Sequence, residues 1–411
     1  MIAYNDIMFK GVLSIGAYGR SGSGLLLSLL DGHPDCVNFQ DTILSGYQDW
    51  WSSLKSNKGS YVMEDFIDLY QVIFDPTFIH PSRIPPGAGN DFGKYSNMVG
   101  SVITGSKDIY VPKERFTHCL SQIVNQNSHE TSSSFFKKLH IALAFALDKP
   151  ISDRTVIVHG ATNGTPQRLD FLTSGFRNNW NLLMVREPVI GHYAQINHWI
   201  EENDKDKPEN LLPRAIIMMR SYYLALTGWE NCTKAIRLED LHHAPIETIK
   251  KIINWVNIPW DDCLLEPTFL GRKWFFSQKE IYKKTFNPDI INSKKYQYLF
   301  SASDNYYIAR CFKRLYDCWG YSLPTVPNNQ LKLIIRFFSS FKIENSFKSS
   351  VQKIIFTRML LIMSLINITK NSKKALLEKI VGERALNKIL SSMGKESYYK
   401  NCLSKKIIPL L

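Results

Sequence analysis

Four short runs of β-branched and aliphatic residues, at 12–17, 155–159, 182–186 and 234–238, each end in turn-forming residues and predict buried strands. Between them, apolar residues recur with helical spacing at 25–30, 63–73, 135–147, 211–226 and 246–256. Pro188 after Val-Arg-Glu and Pro245 before Ile-Glu-Thr each suit a first helical turn, where the proline lacks only an N–H that has no partner anyway. Gly32, with Pro34 two residues on, predicts a glycine cap closing the first helix. Short apolar strands alternating with helices predict an α/β chain, a parallel sheet flanked by helices. In such sheets ligands gather at the carboxyl ends of the strands, so the residues just after each strand are the candidates for chemistry.

Two stretches fall outside that alternation. Residues 75–108 are rich in Pro, Gly, Ser and Asn and predict a long excursion near the site. At Leu323-Pro324-Thr325-Val326-Pro327-Asn328-Asn329 composition and charge both change, which divides the chain into a domain at 1–324 and a basic helical C-terminal extension at 325–411.

Charge sharpens this division. The 411 residues carry a net +13, with 44% apolar and 21% charged side chains, an ordinary globular composition that excludes disordered and fibrous classes. The extension holds 16 Lys+Arg against 4 Asp+Glu, so +12 of the +13 resides there. Basicity confined to a tail does not point to a nucleic-acid partner. Lys and Arg recur there among Leu331, Ile334, Ile335, Phe337, Phe338 and Phe341, as on a helix lying at an anionic membrane surface. Its longest apolar stretch, 354–368, is interrupted by Arg358 and is short for a bilayer span. Seven scattered cysteines without a CxxC pair fit neither a disulfide framework nor a zinc site. With no basic, apolar and small-residue leader at the start, the expectation is a cytoplasmic protein, peripheral on the membrane where the tail engages it.

The first strand runs into Gly16-Ala17-Tyr18-Gly19-Arg20-Ser21-Gly22-Ser23-Gly24 and then a Leu-rich helix. Strand, glycine-rich turn, hydroxyls and helix N-terminus make an anion site, because backbone N–H groups close round phosphate oxygens and the helix dipole favours negative charge. A Walker A loop would need GxxxxGK[ST], whose lysine is absent, and the spacing of a Rossmann GxGxxG does not fit.

Four ordered elements of the sequence together resemble the sulfotransferases that use 3′-phosphoadenosine 5′-phosphosulfate (PAPS), nearest to their bacterial carbohydrate or lipid and protein-tyrosine branches. Gly19-Arg20-Ser21-Gly22-Ser23-Gly24, with its Leu-rich helix and His33-Pro34-Asp35, resembles the 5′-phosphosulfate loop. Leu182 to Pro188 resembles the 3′-phosphate strand, ending in Arg186. Arg237-Leu238-Glu239-Asp240-Leu241 is similar to the family's "YEDL" element, and Ile258-Pro259 to the Leu-Pro or Ile-Pro after it. Pro267-Thr268-Phe269-Leu270-Gly271-Arg272-Lys273-Trp274 resembles a late cofactor loop. The resemblance covers about residues 12–274. It implies a P-loop-like fold, PAPS as donor with 3′-phosphoadenosine 5′-phosphate as product, and no metal. Cofactor-binding roles are implied for Gly19, Arg20, Ser21, Gly22, Ser23, Gly24, Arg186, Arg272, Lys273 and Trp274. Two positions depart from the family. Its second 3′-phosphate residue, a serine, is Ala194 here, leaving His192 or Tyr193 for the contact, and its Lys-Thr-Pro is Gly164-Thr165-Pro166.

Among catalytic candidates, an ungapped count from Arg20 puts the family's acidic base at Asp41, and an ionised aspartate can take the acceptor's proton. Arg20 would oppose the charge left on the 5′-phosphate as the sulfuryl group departs. His33 in its turn reads as structural, and Lys138-Leu139-His140 lacks the flanking pattern of a catalytic element. Trp50-Trp51 and Tyr222-Tyr223 suit either an acceptor pocket or the core. The expected function is sulfuryl transfer from PAPS to a hydroxyl of a saccharide or glycolipid. The competing reading is a non-catalytic nucleotide-binding or membrane-docking protein, motivated by Ala194 and Gly164. A kinase fits poorly without the Walker lysine.

Overall fold

Seven consecutive buried residues, Gly11–Ala17, form strand β1 at the centre of a parallel sheet. The protein is described from a computed structural model at residues 8–17, 20–39, 43–75, 111–161, 171–172, 175–201, 233–273, 285–288, 305–306, 308–309, 312–324 and 408–409. On one side of β1 lies β3 (Val156–Gly160), then the two-residue β2 (Cys36–Val37); on the other lie β4 (Asn179–Val185) and β5 (Thr233–Arg237). The order β2-β3-β1-β4-β5 makes β1 the strand at which the chain passes from one flank to the other. The α/β class and the parallel sheet flanked by helices are therefore as the sequence pattern predicts.

The chain divides into two units, one of Met1–Val185, Asn231–Ile291 and Leu410–Leu411, the other of Arg186–Glu230 and Asn292–Pro409. In the first unit, α1 (Ser23–Asp31) and α8 (Pro245–Val256) share a core with one face of the sheet. Leu13, Ile15, Val158, Leu182, Met184 and Ile236 meet Leu26, Leu29, Ile249 and Ile252 there. Burying each such side chain fully contributes about 1.5–3 kcal/mol. A second, aromatic core joins α2 (Tyr47–Ser53), α3 (Gly59–Leu69), α4 (Lys113–Ile123) and α5 (Ser132–Ala146), with Trp50 in ring contact with Phe66, Tyr70 and Phe135. Trp50 is thus core, and its indole N–H donates to Asp65 Oδ2 at 2.8 Å.

The second unit contains α6 (Pro188–Glu201) and α9 (Lys313–Trp319), the latter closed by left-handed Gly320. Glu187 caps α6 by accepting from Ile190 N–H at 2.7 Å, and it also accepts from the Tyr316 hydroxyl.

Several boundaries moved. β4 starts at Asn179, because Asn179 is already paired with Val12, and it ends before Arg186. Leu238 opens helix α7 (Leu238–His243) and does not end β5. The helix expected at 63–73 is α3 followed by a 3-10 turn at Gln71–Ile73. Gly32 does close α1, but in right-handed conformation with φ −72°. Space there is tight: an added Cβ would lie 3.3 Å from Thr268 Oγ1. The helix expected at 211–226, the excursion beyond Asp75 up to 110, and the extension apart from the short strand Ile408–Pro409 lie outside the described residues. Among the described residues no helix is long and apolar enough to cross a membrane.

Candidate anion-binding site

Beyond the carboxyl end of β1 the backbone turns through two left-handed residues, Arg20 at φ 61° and Gly22 at φ 90°, before α1 begins. Left-handed residues set among ordinary ones let successive N–H groups converge on an anion. Gly22 is the N-cap of α1, its carbonyl accepting from Leu26 N–H at 3.2 Å. It offers no side-chain cap, and no carboxylate stands in the first turn. The first N–H groups of a helix have no intrahelical acceptor, so this end suits an anion by both hydrogen bonding and dipole. Ser21 is buried, Ser23 and Gly24 are half-buried, and the Arg20 side chain is exposed. A non-glycine residue held left-handed, as Arg20 is, costs of order 1 kcal/mol or more, the kind of strain that gathers at functional turns.

Neighbouring strands support this loop. β5 ends in Arg237, whose guanidinium donates bidentately to Asp240, Nε to Oδ2 and Nη2 to Oδ1, both at 2.7 Å. Leu238 then packs over Gly22. The sequence showed the Arg237–Asp240 element only as a likeness; its signal as chemistry is an arginine at the carboxyl end of a parallel strand with an acid three residues on.

The hairpin of β6 (Thr268–Phe269) and β7 (Arg272–Lys273) is anchored elsewhere on α1. Asp31, buried in its last turn, accepts from Thr268 Oγ1 and from Gly271 N–H, both at 2.7 Å. That anchor lies eight residues along the helix from Ser23, a separation of about 12 Å at the usual rise. Arg272 and Lys273 are exposed, and the Lys273 ammonium lies 2.9 Å from Glu266. The structure thus sets Arg20, Ser21 and Gly22 on one turn with Ser23 and Gly24 opening α1, and ties the hairpin to the far end of the same helix.

Arg186 is buried at the entry to α6. Ala194, on the same helix, is buried and has no polar group to offer. Of its neighbours, Tyr193 gives its hydroxyl to Asn305 Oδ1, and His192 Nδ1 donates to Pro188 O at 2.6 Å. Burial pushes the His192 imidazole down to about 4. Gly19, Asp41, Gly164 and Trp274 lie outside the described residues.

No protein-family model and no curated protein sequence matches the chain. Solved structures do resemble it. A sulfotransferase domain from the curacin biosynthetic pathway is 16% identical, with a TM-score of 0.42, covering 77% of this chain and all of that one. A sulfotransferase domain from the Synechococcus PCC 7002 olefin synthase is 16% identical at a TM-score of 0.34, covering 71% of this chain and 85% of that one. A sulfotransferase from Mycobacterium avium is 11% identical at 0.36, covering 78% and 79%. At these identities and scores none of them carries a functional assignment, so the chemistry is read from the chain's own residues.

The histidines sort by their partners. His33 accepts from Asp35 N–H through Nδ1 at 3.1 Å, so its Nε2 donates to Pro259 O at 3.0 Å; both nitrogens hold the turn after α1, and burial lowers its pKa. His140 donates through Nδ1 to Phe136 O at 2.8 Å, and burial pushes it down to about 3. His33 thus ties the turn after α1 to Pro259, and His140 bonds back within its own helix. Among the described residues no group of His, Cys, Asp and Glu is arranged to hold a metal ion.

Proposed function

We propose that the chain transfers a sulfuryl group from PAPS to an acceptor hydroxyl, of a saccharide or glycolipid. The observation that carries this reading is the loop from Arg20 to Gly24, with its two left-handed residues, uncapped α1 N-terminus and exposed arginine, at the carboxyl end of the central strand. Its sequence resembles the 5′-phosphosulfate loop of the sulfotransferases. In this reading the loop N–H groups and Arg20 bind the donor's 5′-phosphate, and Arg186 binds its 3′-phosphate bidentately. The acceptor oxygen forms a bond to sulfur as the sulfur–oxygen bond to the 5′-phosphate breaks, and Asp41 takes the acceptor's proton. Arg20 offsets the charge that collects on the departing phosphate. Arg272 and Lys273, exposed on a hairpin tied to the other end of α1, contribute less than Arg20. The basic segment after Pro327 brings the site to lipid-carried acceptors at an anionic membrane surface.

The test is transfer of radiolabelled sulfate from PAPS into an extract of the source cell, with mass spectrometry of the product, alongside calorimetry with 3′-phosphoadenosine 5′-phosphate. Labelled product with bisphosphate binding supports the reading; absence of both overturns it. A second reading, nucleotide binding without turnover, is favoured by one observation: Ala194 cannot bind a phosphate, and Tyr193 and His192 Nδ1 are committed elsewhere. Bisphosphate binding without label in any acceptor would select it.

A further inference from the structure

We propose that Leu238 is a positioning residue for the anion loop, acting as a wedge that holds Gly22 in its left-handed conformation. This rests on the donor-site reading above and adds to it a residue with no polar group. A Cβ added at Gly22 would overlap Leu238 Cδ1, and would lie 3.4 Å from Leu238 Cγ and 3.5 Å from Met184 Cε. The space over Gly22 is thus filled by side chains from β4 and from the start of α7. Leu238 is itself 5% exposed and is placed by the turn it belongs to. The bidentate Arg237–Asp240 pair closes across that turn, while Asp240 O accepts from Ala244 N–H at 2.8 Å and from Thr248 Oγ1 at 3.1 Å. These bonds hold the backbone at the start of α7, and burial holds the Leu238 side chain in place over Gly22.

The consequence follows from glycine's freedom. Gly22 samples positive and negative φ with similar ease, so nothing intrinsic keeps it at φ 90°. Packed beneath Leu238 and Met184, it holds the loop N–H groups ready before the ligand arrives. Without the wedge, ligand binding must order that residue, and preorganisation is lost.

The experiment is calorimetry of the full chain with 3′-phosphoadenosine 5′-phosphate for wild type, Leu238→Ala and Leu238→Met, well below their melting temperatures. Fixing one residue's backbone implies that Leu238→Ala weakens binding by about 5- to 30-fold. Leu238→Met, similar in volume and reach, should stay within about twofold of wild type. In turnover, the alanine variant should raise the KM for donor and keep its kcat at saturation. A merely structural role would lower Tm in the alanine variant and leave the affinity of the folded protein unchanged, and that result would overturn the proposal. Equal loss in the alanine and methionine variants would overturn it too. If Leu238→Ala does not fold, Leu238→Val carries the same comparison, expected several-fold weaker. Failure of wild type itself to bind the bisphosphate is a different result, and it removes the donor reading and the wedge's role with it.

Discussion

Arg20 combines two properties that single substitutions can separate, a left-handed backbone and an exposed guanidinium. Arg20→Ala removes the guanidinium and keeps the strain, so binding of the 3′,5′-bisphosphate should weaken by about 1.5–3 kcal/mol, the range for charge-assisted contacts. Arg20→Gly removes both, so it should lose the same affinity while relieving of order 1 kcal/mol of strain and raising Tm by a few degrees. Calorimetry and thermal melts check the pair; wild-type affinity in either variant would remove Arg20 from the site. Asp41→Asn keeps the shape and removes the proton acceptor, so kcat should fall by roughly 10²–10⁴ with donor affinity unchanged. Full activity in that variant would move the search for the base elsewhere. Arg20 and its neighbours were legible in the sequence because glycines and hydroxyls between a strand and a helix already specify the chemistry. The αL geometry at position 20 was not, since arginine carries no preference for it.

Among the elements, α1 is held at both ends by different means, and the C-terminal end offers a separate test. Asp31→Ala leaves Thr268 Oγ1 and Gly271 N–H without their shared acceptor. The expected cost is about 1–3 kcal/mol, with amide exchange rising in 268–273 and the loop at Ser23 unaffected. Equal loss of protection at both ends of α1 would show that the hairpin is not a local anchor. The packing of α5 on β3 makes a prediction about pH. His140 and His159 are fully buried, and burial pushes them to about 3 and about 4. Unfolded, each would take a proton near 6.5, so between there and about pH 4 the unfolded chain binds more protons than the folded one. Stability should therefore fall as pH drops through that window, and His140→Gln should flatten the slope in denaturant titrations. Sequence periodicity found α1, α5 and α8 because their apolar faces are long. It missed β2, only two residues long, and α4, whose buried Phe116, Cys119, Leu120 and Ile123 lie among polar residues.

For the whole molecule, the charge distribution yields its own prediction. If the segment after Pro327 engages an anionic leaflet, the full chain should co-sediment with anionic vesicles and a chain ending at Pro327 should not, each basic residue near the surface contributing about 1 kcal/mol. Equal sedimentation with neutral vesicles would leave that charge as ordinary solvated surface. Sequence by itself determined the α/β class, the first strand, the glycine-rich turn after it and the placing of nearly all net charge after residue 324, because these are local in the chain: periodicity, turn chemistry and composition. Only the tertiary structure decided what lies beside what. His159, Ser14, Asn181 and Thr233 come from four strands, yet their registers set them in one row across β3, β1, β4 and β5. All four are buried; Asn181 Nδ2 donates to Thr233 Oγ1 at 3.2 Å, and Asn181 Oδ1 has no hydrogen-bond partner among the described residues. In the sequence each is one polar residue in or beside an apolar run. The same holds for Leu238, whose contact with Gly22, 216 positions earlier in the chain, exists only once β5 is laid beside β4. Pairing between strands is set by which apolar faces can be buried together, a global condition that no local window of sequence contains.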